Sequence, residues 1–106
     1  MSEDFVKVAE AKDIGPSSMK TVVIAGEKVC IANIEGNYYA FGNVCTHMGG
    51  PLNEGTLEGF EVECPWHGSK FDVRTGQPTK PPARVAVSSY EVKIENNNNV
   101  IVRRRH

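Results

Sequence analysis

Two short stretches of this 106-residue chain carry residues suited to binding metal: Cys45-Thr46-His47-Met48-Gly49-Gly50-Pro51-Leu52 and Cys64-Pro65-Trp66-His67-Gly68-Ser69. Each supplies one cysteine and one histidine, and sixteen residues separate His47 from Cys64. A Cys and a His so close together in a tight turn can point the same way. Two such turns facing each other would offer two sulfur and two nitrogen ligands. Two centres accept that set. One is a structural zinc ion held tetrahedrally; the other is a [2Fe–2S] cluster in which two His replace two Cys on one iron. Zinc fingers usually pair like ligands, Cys-x-x-Cys and His-x-x-x-His. The mixed pairing here suits an asymmetric binuclear centre, although spacing alone leaves both open.

The elements that must hold these loops read as short strands. Phe5–Val8, Lys20–Ile24, Lys28–Ile34, Tyr38–Phe41, Phe60–Cys64, Phe71–Val73, Val85–Val87, Ser89–Ile94 and Val100–Arg103 show alternation or β-branched enrichment. Ala25-Gly26-Glu27 and Glu35-Gly36-Asn37 read as hairpin turns, with Gly and Asn supplying positive φ, and Asn96–Asn99 as the last turn. Residues 42–58 are rich in Gly, Pro and polar residues and read mostly as loop. Residues 77–82 hold three prolines, which excludes helix or central strand. No window sustains a 3.6-residue apolar period. The expectation is one all-β domain over 1–106, an antiparallel sandwich or small barrel interrupted by two ligand loops.

Totals narrow the function. The net charge is -1, far from the basic excess of a nucleic-acid binder, and Arg103-Arg104-Arg105 reads as a solvated tail. The longest apolar stretches, 22–25 and 29–34, are strand-sized, so no membrane span is expected. The N-terminal Met-Ser-Glu-Asp is acidic and lacks a signal-peptide pattern. A cytoplasmic protein is expected. There, three cysteines are poor evidence for disulfides and better evidence for metal. Cys30 shares a predicted strand face with Ala32 and Ile34 and reads as a buried small hydrophobe. His106 is terminal.

The flanks of the two loops, Cys-Thr-His-x-Gly-Gly-Pro-Leu followed by Cys-Pro-Trp-His-Gly-Ser-x-Phe-Asp, resemble the Rieske iron–sulfur family. The resemblance runs from about Phe41 to Pro82. It implies one [2Fe–2S] cluster, with Cys45 and Cys64 on the inner iron and the Nδ1 atoms of His47 and His67 on the outer iron, near the surface. Neutral imidazoles replacing two thiolates leave the oxidised centre formally neutral. Its potential then lies above that of an all-cysteine cluster, within roughly -150 to +300 mV. The resemblance also implies that the outer ring N–H groups ionise at high pH, which makes reduction harder.

High-potential members of that family carry two further cysteines that bridge the loops. Gly50 and Trp66 stand in their places, so that disulfide cannot form. They also carry a Ser and a Tyr whose hydroxyls bond cluster sulfur; Ser69 matches the serine and Phe71 replaces the tyrosine. A potential in the lower part of the range, lifted slightly by Ser69, is therefore expected. Gly49, Gly50 and Gly68 are turn glycines whose backbone N–H groups can face cluster sulfur. Met48 and Trp66 shield the cluster or meet a partner, and the proline stretch containing Pro81 matches the family's covering loop.

Three functions go with such a domain. A Rieske oxygenase needs a further two-His, one-carboxylate iron site, and the chain has only three histidines. There is also no Gly-x-Gly-x-x-Gly motif for FAD or NAD. The resemblance thus implies a soluble, monomeric one-electron ferredoxin, not an enzyme, that passes electrons from a flavin-dependent reductase to a terminal oxygenase. The alternative is a small subunit of a larger reductase, such as a nitrite reductase.

Overall fold

The computed structural model describes residues 5–46, 49–66, 68–81 and 83–104. Two turns organise the first half. Strands β2 (Ser18–Ile24) and β3 (Glu27–Ile34) are joined at Ala25-Gly26, and β3 and β4 (Asn37–Gly42) at Glu35-Gly36. The turn residues have φ of 52° and 82° in the first and 55° and 88° in the second. Two successive left-handed residues match the right-handed twist of the strands they join. Only the second residue of each pair is Gly; Ala25 and Glu35 take the strained first position, and Asn37 begins β4. At the last hairpin Asn96 and Asn97 do supply the positive φ, 55° and 62°.

Strands β1 (Val6–Glu10), β9 (Ser89–Glu95) and β10 (Asn99–Arg104) complete a six-stranded antiparallel sheet of order β1-β10-β9-β4-β3-β2. Its edge strands β1 and β2 approach each other, so the sheet is nearly closed into a barrel. A second, four-stranded antiparallel sheet has the order β5 (Thr56–Glu58), β6 (Glu61–Glu63), β7 (Lys70–Asp72), β8 (Pro78–Lys80). The all-β expectation holds.

Strand β3 explains how the sheets share cores. Val29 to Asn33 are all buried, which gives the strand its nearly unbroken apolar run. Val29 and Ile31 face the barrel interior with Ile14, Ala40, Tyr90, Val100 and Val102. Cys30 and Ala32 face the other way, into a core with Phe41, Leu52, Val62, Phe71, Val73 and both Cys45 and Cys64. Cys30 is thus the buried hydrophobe its spacing suggested; burial pushes its thiol pKa up to about 12, so it stays neutral.

One expected strand differs, and the proline stretch keeps to its expected limits. Val85–Val87 alternates like a strand but pairs into no ladder. Its backbone is spent on cross-links instead: the Val87 N–H donates to the Gly76 carbonyl (2.9 Å), and the Val85 carbonyl accepts from the Thr46 hydroxyl (2.6 Å). The proline stretch holds β8, which pairs only with β7 at the sheet edge, where a missing N–H is tolerated.

Candidate metal centre

The two cysteine loops are built alike. Each is a six-residue hairpin connection that begins with Cys. The first, 45–50, is closed below by a bridge between Val44 and Pro51; the second, 64–69, by the ladder pair Glu63 and Lys70. In each, the Cys N–H donates to the carbonyl of the residue five positions on: Cys45 to Gly50 at 2.8 Å and Cys64 to Ser69 at 2.7 Å. In each, the fifth residue is a left-handed glycine, Gly49 at φ 80° and Gly68 at 74°. The same closing bond and the same glycine position thus appear twice, and Gly50 of the first loop lies against Cys64 and Trp66 of the second.

Their first residues converge. Cys45 is 2% exposed and Cys64 1%, and both thiols are free. Burial pushes the Cys64 thiol pKa up; the Trp66 N–H, donating to its sulfur at 3.4 Å, offsets part of that, and a hydrogen bond and repulsion from Cys45 add to it. Two apposed, buried thiols would suit a cationic centre, which would remove both protons and turn their mutual repulsion into shared ligation. Gly50 keeps the space open: a Cβ there would stand 2.7 Å from Cys64 Sγ and 3.1 Å from the Trp66 indole. The donor set and this cradle fit an iron–sulfur group.

His47 and His67 lie outside the described residues, as do Met48 and Pro82. Among the described residues no group of three His, Cys, Asp or Glu side chains comes together; the two cysteines are the described half of the expected ligand set. Gly50 and Trp66 are neighbours, as the resemblance implied, and the indole, 48% exposed, lies where a bridge would otherwise run. Phe71 is fully buried on β7 and forms part of the core beneath the cysteines. Gly49 and Pro81 are exposed, and Gly68 is half-buried. The Gly49 N–H is engaged by the Cys45 carbonyl at 2.8 Å, so it is not free to face the cluster.

Ser69 is fully buried and its Oγ accepts the Ala83 N–H at 3.0 Å. With a lone pair so occupied, its proton is left to donate. This bond also pins segment 83–87 to the second loop, while Thr46 pins it to the first. Asn43 braces the first loop from below: its side chain donates to Asn53 Oδ1 (2.8 Å) and accepts the Asn53 N–H (2.9 Å), while its own carbonyl accepts the Leu52 N–H (2.8 Å). Sequence reasoning missed Thr46 and Asn43. The only available signal was a hydroxyl between two ligand positions and an Asn just before Val-Cys, and such residues are common in loops for other reasons.

A Rieske [2Fe-2S] domain model matches residues 4–91. The ferredoxin component of the naphthalene 1,2-dioxygenase/salicylate 5-hydroxylase systems of a Ralstonia species is 36% identical over 96 residues, covering 91% of this chain and 92% of that one. The structure of a complex of reduced oxygenase and oxidised ferredoxin in carbazole 1,9a-dioxygenase includes a chain that superimposes with a TM-score of 0.86 at 34% identity, over 92% of this chain and 91% of that one. A nitrite reductase small subunit from Mycobacterium tuberculosis reaches a TM-score of 0.87 at 19% identity, over 100% and 98% of the two chains; at that identity the likeness is one of fold.

Proposed function

Since this chain belongs to the Rieske [2Fe–2S] family and its cofactor is accordingly one [2Fe–2S] cluster, we propose that it is a ferredoxin that holds the cluster through Cys45, Cys64, His47 and His67 and carries single electrons to a terminal oxygenase from a flavin-dependent reductase. The observation that carries this reading is the repeated six-residue hairpin, which brings the buried Cys45 and Cys64 thiols together in the core outside the barrel interior. The relatives named as ferredoxin components of oxygenase systems support the partners. No described helix is long and apolar enough to cross a membrane, and the reading places the chain in the cytoplasm as a single domain.

The cluster, when bound, accepts and returns one electron. The residues of this chain do the rest. Cys45 and Cys64 supply thiolates from a buried floor. The paired Cys N–H to carbonyl bonds and the Asn43 bracket keep both loops in one geometry, which limits rearrangement between redox states. The bonds of Thr46 and Ser69 hold segment 83–87 against the loops. No residue here transfers a bond, so no catalytic residue is assigned.

Ser69 tunes the potential. A hydroxyl donated to cluster sulfur stabilises the reduced, more negative state. Ser69→Ala should lower the midpoint by about 60 mV, the value of a tenfold shift in a one-electron equilibrium and of the order of one hydrogen bond to a charged group. Redox titration of the two proteins checks this; an unchanged midpoint removes the Ser69 bond from the account. Phe71→Tyr, the complementary change, should raise it.

The whole reading is tested by an anaerobic titration with a single-electron fit and by gel filtration of native extract. A carrier titrates with one electron per chain and elutes alone. Elution in a permanent high-mass complex would favour the reductase-subunit reading, for which the shared fold is the supporting observation.

A further inference from the structure

Segment 83–88 leaves the second loop at Ala83, passes the first at Val85 and enters β9 at Ser89. Its last residues run close to the end of β4. The Gly42 N–H donates to the Ser88 carbonyl at 2.8 Å, and a Cβ at Gly42 would stand 3.4 Å from the Ser88 nitrogen. Between this stretch, the β2–β3 turn and the stem of the first cysteine loop lies an open cleft of about 400 Å³. That is within the usual size of a small-ligand site.

What the cleft can hold follows from which of its polar groups are already used. Glu27 and Lys28 are the charged residues among those described that line it. Glu27 is matched by Arg104, whose Nη1 lies 3.1 Å from the carboxylate, and the Tyr90 hydroxyl engages the same carboxylate. The Asn43 side chain is bonded to Asn53 at both ends, and the Thr46 hydroxyl donates to the Val85 carbonyl. Two side-chain donors are left. Lys28 is exposed, and among the described residues no carboxylate pairs with it. Ser88 Oγ accepts Arg104 Nη2 at 3.1 Å, which leaves its own proton to donate. Val44, Ala86 and Val87 supply apolar wall.

We propose that this cleft binds a small organic oxyanion, with its carboxylate held by Lys28 and Ser88 and its apolar body against Val44, Ala86 and Val87. Hydrogen bonds to an ionised group are about twice as strong as neutral ones, so the anion gains most from the donors that are left. A cation would meet Lys28 and find Glu27 already taken. The cleft shares Val44 and Thr46 with the stem and start of the first cysteine loop, so an occupant would lie beside the tie between Thr46 and Val85. The site uses none of the four cluster ligands and does not rest on the carrier reading.

The test titrates the oxidised holoprotein with 4-fluorobenzoate, 4-fluorobenzyl alcohol and 4-fluorobenzylammonium at constant ionic strength, reading the 19F NMR signal of each probe. The benzoate should saturate and bind about tenfold tighter than the alcohol, and the ammonium should bind most weakly. Lys28→Met keeps the stem and removes the charge. It should erase the preference for the benzoate and leave the alcohol unchanged. Ala86→Leu, which adds three carbons to the wall, should weaken the benzoate and the alcohol alike. Lys20→Met, at an exposed position elsewhere on β2, should change nothing. The visible spectrum shows that each variant keeps its fold and cluster, and Lys28→Met alters no buried packing. A benzoate that does not saturate, that binds no better than the alcohol, or that binds Lys28→Met as it binds wild type overturns the proposal, while the carrier reading stands.

Discussion

Cys64→Ser should abolish the brown visible absorption of the purified protein and remove most of its bound iron. The cysteine is 1% exposed, opens the second loop and receives the Trp66 N–H at its sulfur. A serine hydroxyl is harder to deprotonate than a thiol and sits on a shorter bond, so it neither supplies the thiolate nor reaches as far. Binding of a group that assembles only in the folded site is coupled to folding, so the variant should also melt at lower temperature than the holoprotein. Cys30→Ser provides the contrast. That thiol, pushed up to about 12 by burial, packs in the core with Ala32 and Phe41; its replacement should place a hydroxyl there and cost about 1–3 kcal/mol, while each folded molecule should keep its iron. Iron analysis and thermal melts of the two variants separate ligation from packing.

Gly76→Ala should destabilise the fold far more than Gly36→Ala. The two glycines have nearly the same backbone, φ 83° and 88°. A Cβ at Gly36 meets open space, whereas one at Gly76 collides with the Val87 carbonyl. The common left-handed penalty is about 1–2 kcal/mol. At Gly76 the turn must also move away from segment 83–87, breaking the Val87 N–H bond to the Gly76 carbonyl (2.9 Å), which brings the cost to about 3–5 kcal/mol. Denaturant melts give the difference directly. Equal losses at the two sites would mean that the packing of residue 76 against Val87 is not what holds this segment. Because the same segment carries Ala83 and Val85, which bind Ser69 and Thr46, Gly76→Ala should also loosen the cluster.

The two cysteine loops were legible in the sequence because each opens with Cys and carries its Gly at the same position, within flanks that pointed to the family whose model matches. Their shared backbone was legible only in part: a glycine at the fifth position of both loops is visible in Cys-Thr-His-Met-Gly and Cys-Pro-Trp-His-Gly, but the Cys N–H bonds to Gly50 and Ser69 are not. Strand β3 was legible as a continuous apolar run. Which residues face which core followed from alternation, and Cys30 took its expected place beside Ala32.

Segment 85–87 was misread because Val-Ala-Val alternates like a strand. Its hydrogen bonds go to Gly76 and Thr46, distant in sequence, and alternation carries no information about them. The left-handed Ala25 and Glu35 were hidden for a related reason. Strand twist sets the turn type, and the following glycine relieves only one of the two residues that must adopt it. Asn43 and Thr46, which position the first loop, have side chains that look like ordinary loop residues until their partners are seen.

In the proposed carrier an iron–sulfur cluster is held asymmetrically by the two cysteines and two histidines. Pulsed EPR of the dithionite-reduced protein, grown with 15N-labelled histidine, tests it most directly. The account predicts an EPR signal from one unpaired electron per chain, with hyperfine coupling to two directly bound histidine nitrogens. An EPR-silent, colourless protein containing zinc, or a cluster signal with no coupled histidine nitrogen, would contradict it.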